Sequence, residues 1–312
     1  MSIETIGARR VKYIALLAWP SFVLGCGPLV DNVDRSASTS TALQGGSLDT
    51  GDPSVGVVWS AGPPTYFCSG TLIAPHIVLT AAHCVTHTGG KLDTFFTGTG
   101  TPMTMANPAS DPALVAHPII DQQYDPNFVD AITCPNQHDV ALLRTSDQVR
   151  PGLIHFATSS ANEPPVSAIV TAVGFGTYTS VLGTTIESKR SGTERVLSWP
   201  DPDNLLVTFG NSIADSGDSG SPIFYNTLVV GVTSCHNDGI WPQHQQEYYA
   251  RLDVSSTWMT GLMNKWIGEC HAQCTAEYGP CAPTDCACIA DEYDCYRLQC
   301  GENYPPIVCP PP

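Results

Sequence analysis

The chemistry-bearing stretch of this 312-residue chain is Gly217-Asp-Ser-Gly-Ser-Pro222, in which Ser219 lies between small residues, follows an acid and is closed off by a proline. Such a sequence suits a tight turn that pushes the hydroxyl outward while backbone N–H groups converge beside it, giving a nucleophile together with an anion-binding pocket. Glycine, aspartate and serine are also ordinary turn formers, so the stretch alone fits a surface loop equally well. A serine hydroxyl is a poor nucleophile at its free pKa; it needs a base to take its proton during attack, and the base needs an orienting group. Both occur in apolar surroundings. His83 ends the run from Thr71 to Cys84, and Asp139 heads His138-Asp-Val-Ala-Leu-Leu143.

Taken in order, Thr80-Ala-Ala-His-Cys84, Asp139-Val-Ala-Leu-Leu143 and Gly217-Asp-Ser-Gly-Ser-Pro222 resemble the three signature blocks of the chymotrypsin/trypsin family of serine proteases, and His, Asp, Ser is that family's chain order. The resemblance implies a serine endopeptidase acting on proteins or peptides through an acyl-enzyme, without cofactor or metal. Ser219 becomes the nucleophile, His83 the general base and then acid, Asp139 its orienter, and the N–H groups of Gly217 and Ser219 the oxyanion hole. Ser234 matches the serine that supports the aspartate. The implied fold is all-β: two six-stranded antiparallel barrels with the site between them, a C-terminal helix and, here, a small disulfide-rich tail. The alternative function is a surface binding or adhesion protein on a protease scaffold; such relatives usually lose a triad residue, and this chain keeps all three.

By the same resemblance, Leu43-Gln-Gly-Gly46 stands at the activation terminus, where cleavage frees an α-amino group that pairs with the acid before the nucleophile, here Asp218. Ala42 is not the basic residue a trypsin-like activator cuts after, so either another protease does the cutting or activation differs. The floor of the primary pocket falls on Ile213, which excludes trypsin-like anchoring there, and Ala214, Ser234, His236 and Glu247 complete its lining. Glu247 is expected to pair with His236, to bind a basic side chain or to point to solvent, since an unpaired buried carboxylate costs several kcal/mol or shifts its pKa upward. A small apolar pocket is the favoured form. Cys68 and Cys84 match the disulfide beside the catalytic histidine. Cys134 and Cys235 then remain as a pair across the cleft, or as two separate thiols.

Thirteen cysteines point to an oxidising compartment. Residues 1–25 read as a secretory signal, with Arg9, Arg10 and Lys12 before an apolar stretch too short to span a bilayer. Val23-Leu-Gly-Cys26 resembles the lipobox at which bacterial lipoproteins are cleaved and acylated, which makes Cys26 a candidate membrane anchor; an ordinary cleaved signal is the other reading. Residues 26–42 form a polar linker or propeptide. Removal of residues 1–25, with three basic side chains and one acidic, takes the formal charge from −16 to −18, so nucleic acid is a poor partner. An exported protein, held at the cell envelope or secreted, follows.

Residues 43–268 form the protease domain. Short apolar runs between Gly, Pro and Asn/Asp turns mark strands at 55–59, 71–79, 139–143, 169–173, 205–208, 222–224 and 228–233. Trp258, Met259, Leu262, Met263, Trp266 and Ile267 recur at helical spacing after Asp253-Val-Ser-Ser, an amphipathic helix whose tryptophans belong to the core. Residues 269–312 carry eight cysteines, with Cys274-x6-Cys281-x4-Cys286 repeated as Cys288-x6-Cys295-x4-Cys300. So short a segment needs disulfides to hold a structure, and zinc is disfavoured because paired C-x2-C spacings are lacking. Its partner is unknown.

Overall fold

Proline and glycine punctuate the chain densely enough that its order comes from many short strands paired across long sequence distances. The computed structural model describes Leu43 and residues 46–62, 66–98, 108–131, 134–149, 154–179, 185–201, 203–208, 210, 214–236, 246–279, 281–282, 285–300 and 309. Residues 1–25, read above as a secretory signal, and Cys26 lie outside the described residues, as does Ile213. Among the described residues the chain runs β1 (Ser47–Leu48), β2 (Val55–Ser60), β3 (Tyr66–Ala74), β4 (Ile77–Thr80), α1 (Ala82–His87), β5 (Thr94–Gly98), β6 (Leu114–Tyr124), β7 (Ala141–Thr145), β8 (His155–Phe156), β9 (Ile169–Gly174), β10 (Thr177–Thr179), β11 (Thr185–Glu187), β12 (Arg190–Asp201), β13 (Asn204–Thr208), β14 (Pro222–Tyr225), β15 (Leu228–His236), β16 (Gln246–Arg251), α2 (Leu252–Tyr278) and α3 (Cys286–Gln299).

The first sheet is a closed barrel in the order β2-β3-β4-β7-β6-β5. Val58, Leu72, Val78, Phe95 and Leu143 fill it, and the Cys68 and Cys84 sulfurs belong to the same core. The run from Thr71 to Leu79, read as one strand, is two: Pro75 and His76 turn the chain, and β3 and β4 pair antiparallel with Thr71 opposite Leu79. The second sheet follows β1-β12-β13-β16-β15-β14-β9, and β9 also pairs β12, so the sheet folds back around Val170, Leu205, Val207, Ile223 and Tyr249. It has eight strands where six were expected. The extra two are the two-residue β1, which pairs β12, and β8, which lies parallel on β15. Among the described residues, only the first sheet is a plain closed barrel.

In α2 the buried residues Leu252, Ser255, Ser256, Met259, Trp266, Cys270 and Cys274 recur at intervals of three, four or seven and so define one face. Met259 and Trp266 pack with Leu79, Leu142 and Val232, joining both sheets to the helix. The Trp266 indole N–H donates to Asp121 Oδ2 at 2.9 Å, so this core tryptophan keeps its polar atom satisfied. α2 itself runs on through Gly268 to Tyr278, so the first cysteines of the tail lie on the same helix as Met259 and Trp266. Cys270–Cys300 and Cys274–Cys295 staple its last turns to α3, Cys281–Cys288 closes the connection, and Cys286–Cys309 fixes the end. The tail therefore caps the first barrel as a helical hairpin, reaching it through Arg144 Nη1–Glu269 Oε2 at 3.1 Å and Gln148 Nε2 donating to the Arg297 carbonyl at 3.3 Å. Each bridge contributes roughly 2–4 kcal/mol by limiting the unfolded chain. None of the helices among the described residues is long and apolar enough to cross a membrane.

Candidate active site

His83 owes its place to small residues. Ala81 and Ala82 are fully buried, so β4 can turn straight into α1 against the core, and the Cys68–Cys84 disulfide ties that helix to β3. Asp139 arrives from the other side at the head of β7, after His138 takes the left-handed conformation at φ 49°. The carboxylate is fully buried. Its Oδ2 accepts from His83 Nδ1 at 2.7 Å and from Ser234 Oγ at 2.6 Å, and its Oδ1 accepts the His83 backbone N–H at 2.8 Å. With Nδ1 donating, the ring presents Nε2 as the acceptor nitrogen. Burial by itself would raise the Asp139 carboxyl, but the His83 charge and these hydrogen bonds outweigh it and hold Asp139 below the usual carboxylate range. Burial likewise opposes a charged His83 ring, yet Asp139, with a smaller contribution from Asp130, lifts the imidazole above its ordinary value.

Ser219 is half-buried in a turn that only glycine can build. Gly217 and Gly220 lie at φ 97° and 77°, and a Cβ on them would meet Phe67 at 1.9 Å and Thr80 Oγ1 at 2.1 Å. The turn is pinned on both sides. Ser69 N–H donates to the Ser219 carbonyl and Gly220 N–H to the Thr233 carbonyl, each at 2.8 Å, while Ser69 Oγ donates to the Gly217 carbonyl at 2.9 Å. Ser221 is accommodated in place of a second glycine because its hydroxyl bonds Thr233 Oγ1 at 2.7 Å. Among the described residues, the Gly217 and Ser219 N–H groups donate to no acceptor, and the polar contact at His83 Nε2 is Cys84 Sγ at 3.8 Å rather than Ser219 Oγ. Hydroxyl–imidazole bonds in clefts often tighten only when a ligand is bound. The Cys68 and Cys84 sulfurs lie near His83 but are bonded to each other, so they offer no thiolate to a metal.

Asp218 is buried behind this turn. Its Oδ1 accepts the Gly176 N–H at 2.7 Å and its Oδ2 the Asp215 N–H at 3.0 Å. A Cβ on Gly174 or Gly176 would stand 2.1 Å from its oxygens, so the Gly174-Phe-Gly176 segment is shaped as a socket for the carboxyl. Burial pushes the Asp218 pKa up to about 7, against the two backbone hydrogen bonds. Leu43 is buried nearby, packed on Ala172 and Ala214.

A cavity of about 290 Å³ opens beside Ser219, lined by Ala214, Ser216, Ser234 and His236 among others. Glu247 is not among the described residues that line it, and it points neither to solvent nor to a described basic side chain. It is fully buried on β16, takes the Ala214 N–H at Oε1 and accepts Tyr249 O–H at Oε2 at 3.0 Å. The same Tyr249 oxygen lies 3.0 and 3.1 Å from the two oxygens of buried Glu194. One phenolic proton cannot serve two carboxylates, so this arrangement favours a carboxyl that keeps its proton. Burial, opposed by the Tyr249 and Ala214 hydrogen bonds, raises Glu247 to about 7. Glu194 and Tyr249 escaped the sequence reading, although the two-residue spacing of Glu247 and Tyr249 on one strand already puts them on one face. Across the cleft, Cys134 and Cys235 are joined, tying the loop before Asp139 to the end of β15.

A protein-family model described as Trypsin matches residues 46–259. The chain is 24% identical to Trypsin Blo t 3 of Blomia tropicalis over 260 residues, covering 75% of this chain and 92% of that protein. It is 29% identical to Brachyurin of Leptuca pugilator over 181 residues, covering 54% and 75%. Among solved structures it is similar in fold to neuropsin, a serine protease expressed in the limbic system of mouse brain, with TM-score 0.54, 19% identity, and 68% of this chain and 95% of that chain covered.

Proposed function

Because the chain belongs to the trypsin family, we propose that it is an exported serine endopeptidase in which Ser219, His83 and Asp139 cleave peptide bonds. Ser219 Oγ attacks the scissile carbonyl carbon while His83 Nε2 takes the hydroxyl proton. The Gly217 and Ser219 N–H groups receive the oxygen as it becomes an anion. Collapse breaks the C–N bond, the amine leaves with the proton from His83, and a water molecule activated by the same nitrogen releases the acyl group. Asp139 keeps the ring in the tautomer this cycle requires. The observation that carries the reading is the 2.7 Å bond from His83 Nδ1 to a buried Asp139, beside a glycine-built turn with two N–H groups left without acceptors among the described residues.

The pocket beside Ser219 selects a small apolar residue before the cut. Ala214 is in its lining together with the short side chains of Ser216, Thr233 and Ser234 and with Asp215, and the Glu247 carboxyl is engaged by the Ala214 N–H. A peptide library scanned at that position, with enzyme blocked by a serine-directed fluorophosphonate as the blank, is expected to show cleavage after small apolar residues only. A preference for Lys or Arg that disappears in Glu247→Gln would overturn the pocket assignment, and cleavage that persists in the blocked enzyme would overturn the mechanism.

Residues 1–25 direct export, in keeping with six disulfides among the described residues. Cys26 then carries the lipid anchor, since acyl chains contribute roughly 0.8 kcal/mol per buried CH₂ and two or more hold a protein on a membrane. Radiolabelled palmitate should enter the wild type and not Cys26→Ser, which should move to the soluble fraction. An unlabelled wild type would refute the anchor and leave the protein secreted.

A further inference from the structure

Asn136 lies between β6 and β7, three residues before Asp139, and only 7% of it is exposed. Its Nδ2 donates to Asp139 Oδ2 at 3.2 Å and to Ser234 Oγ at 3.3 Å. The amide orientation is fixed from the far side: the Ala131 N–H donates to Asn136 Oδ1 at 3.0 Å, so the NH₂ end must face the carboxylate. The backbone is held as firmly. Asn204 Nδ2, on β13, donates to the Asn136 carbonyl at 2.8 Å, Gln137 pairs with Val129 through both backbone bonds, and the Cys134–Cys235 bridge anchors the loop to the strand that bears Ser234.

We infer that Asn136 is a positioning residue for the proposed reaction, an amide that shares Asp139 Oδ2 with His83 and Ser234 and so limits how strongly the carboxylate draws on the imidazole. This rests on the assignment of His83 as the base. Oδ2 receives donors at 2.6, 2.7 and 3.2 Å. Hydrogen bonds to an ionised acceptor drain its charge, and loss of one leaves the carboxylate more basic. The imidazolium beside it is then better stabilised, so His83 must hold its proton to higher pH. The other groups facing His83 stay as they are: Asp130, whose Oδ2 is 2.9 Å from His87 Nε2; the His87 ring, 5.6 Å from the His83 ring; and Tyr66, whose ring stands edge-on to His87.

The test is the pH dependence of inactivation by diisopropyl fluorophosphate, which reads the protonation of the base and is too small to depend on peptide subsites. In Asn136→Leu, close in shape but without the donor, the acid limb is expected to move up by about one pH unit, the equivalent of one hydrogen bond to a charged group. Asn136→Ser, smaller, polar and too short to reach Asp139, serves if leucine prevents folding, and should shift the limb in the same direction. A residue that merely packs would lower the thermal midpoint and leave the limb in place; limbs superimposed on the wild type, or moved down, would overturn the inference. A wild type that resists the reagent altogether would instead remove the reading of Ser219 on which it rests.

Discussion

Ser219→Ala is expected to lower kcat for peptide hydrolysis by a factor on the order of 10⁴ or more, His83→Ala to do much the same, and the double variant to add little. The non-additivity carries the argument. Without the hydroxyl, the base has no proton to take; without the base, the hydroxyl stays weakly nucleophilic, so either loss removes the same step. What survives is stabilisation by the Gly217 and Ser219 N–H groups and by substrate binding, which needs neither side chain. KM should therefore change little, because the cavity beside Ser219 keeps its lining from Ala214, Ser234 and His236. Independent, multiplicative losses in the double variant would show that two separate steps had been disabled, contrary to the roles assigned here.

Cleavage between Ala42 and Leu43 is expected to raise activity by about 10²–10³, the worth of a buried ion pair and of an ordered oxyanion site. Leu43 is already buried on Ala172 and Ala214, and the Asp218 carboxyl beneath the nucleophile turn holds two backbone N–H groups with no lysine or arginine paired to it among the described residues. A new α-ammonium group at Leu43 supplies the missing cation. A pH signature accompanies it. Asp218 and Glu247 have ordinary values of 3.8 and 4.5 and both rise to about 7 in the uncleaved fold. Between roughly pH 4 and 7 the folded chain thus binds more protons than the unfolded one, so this stabilisation is fully present below that window and is lost as pH rises through it. Pairing with the ammonium group lowers Asp218 again and removes its share, while that of Glu247 remains. Thermal midpoints of uncleaved and cleaved Ser219→Ala protein from pH 4 to 7 should show a shallower fall after cleavage. Parallel curves, or full activity without cleavage, would count against the pairing, and Asp218→Asn in the cleaved enzyme should return activity to the uncleaved level.

The side chains to which catalysis is assigned here stood out in the sequence because each is bound to a local constraint that leaves its mark in neighbouring residues. His83 follows alanines that must be small, and Ser219 stands between glycines that must reach positive φ. The environment of Glu247 was not legible: its strand-mate Tyr249 is two residues away, but Glu194 and Ala214 come from segments more than thirty residues distant, and only their pairing shows that the carboxyl is enclosed. Asn136 was hidden similarly, since a polar residue in a loop carries no sign of what it faces. The two-residue β1 and β8 are too short to show any periodicity. The cysteine-rich composition beginning after residue 268 hid the continuity of the backbone: α2 runs on to Tyr278, and Cys270 and Cys274 on its last turns are bridged to Cys300 and Cys295.

The most direct test of the central claim is to trap the covalent intermediate: mix the cleaved enzyme with an activated ester, quench in acid during the first turnover, and map the mass increase. The account predicts one acyl group per molecule, on the peptide containing Ser219, together with a product burst of the same stoichiometry. A burst without a modified Ser219, or an acyl group on any other side chain, would contradict it.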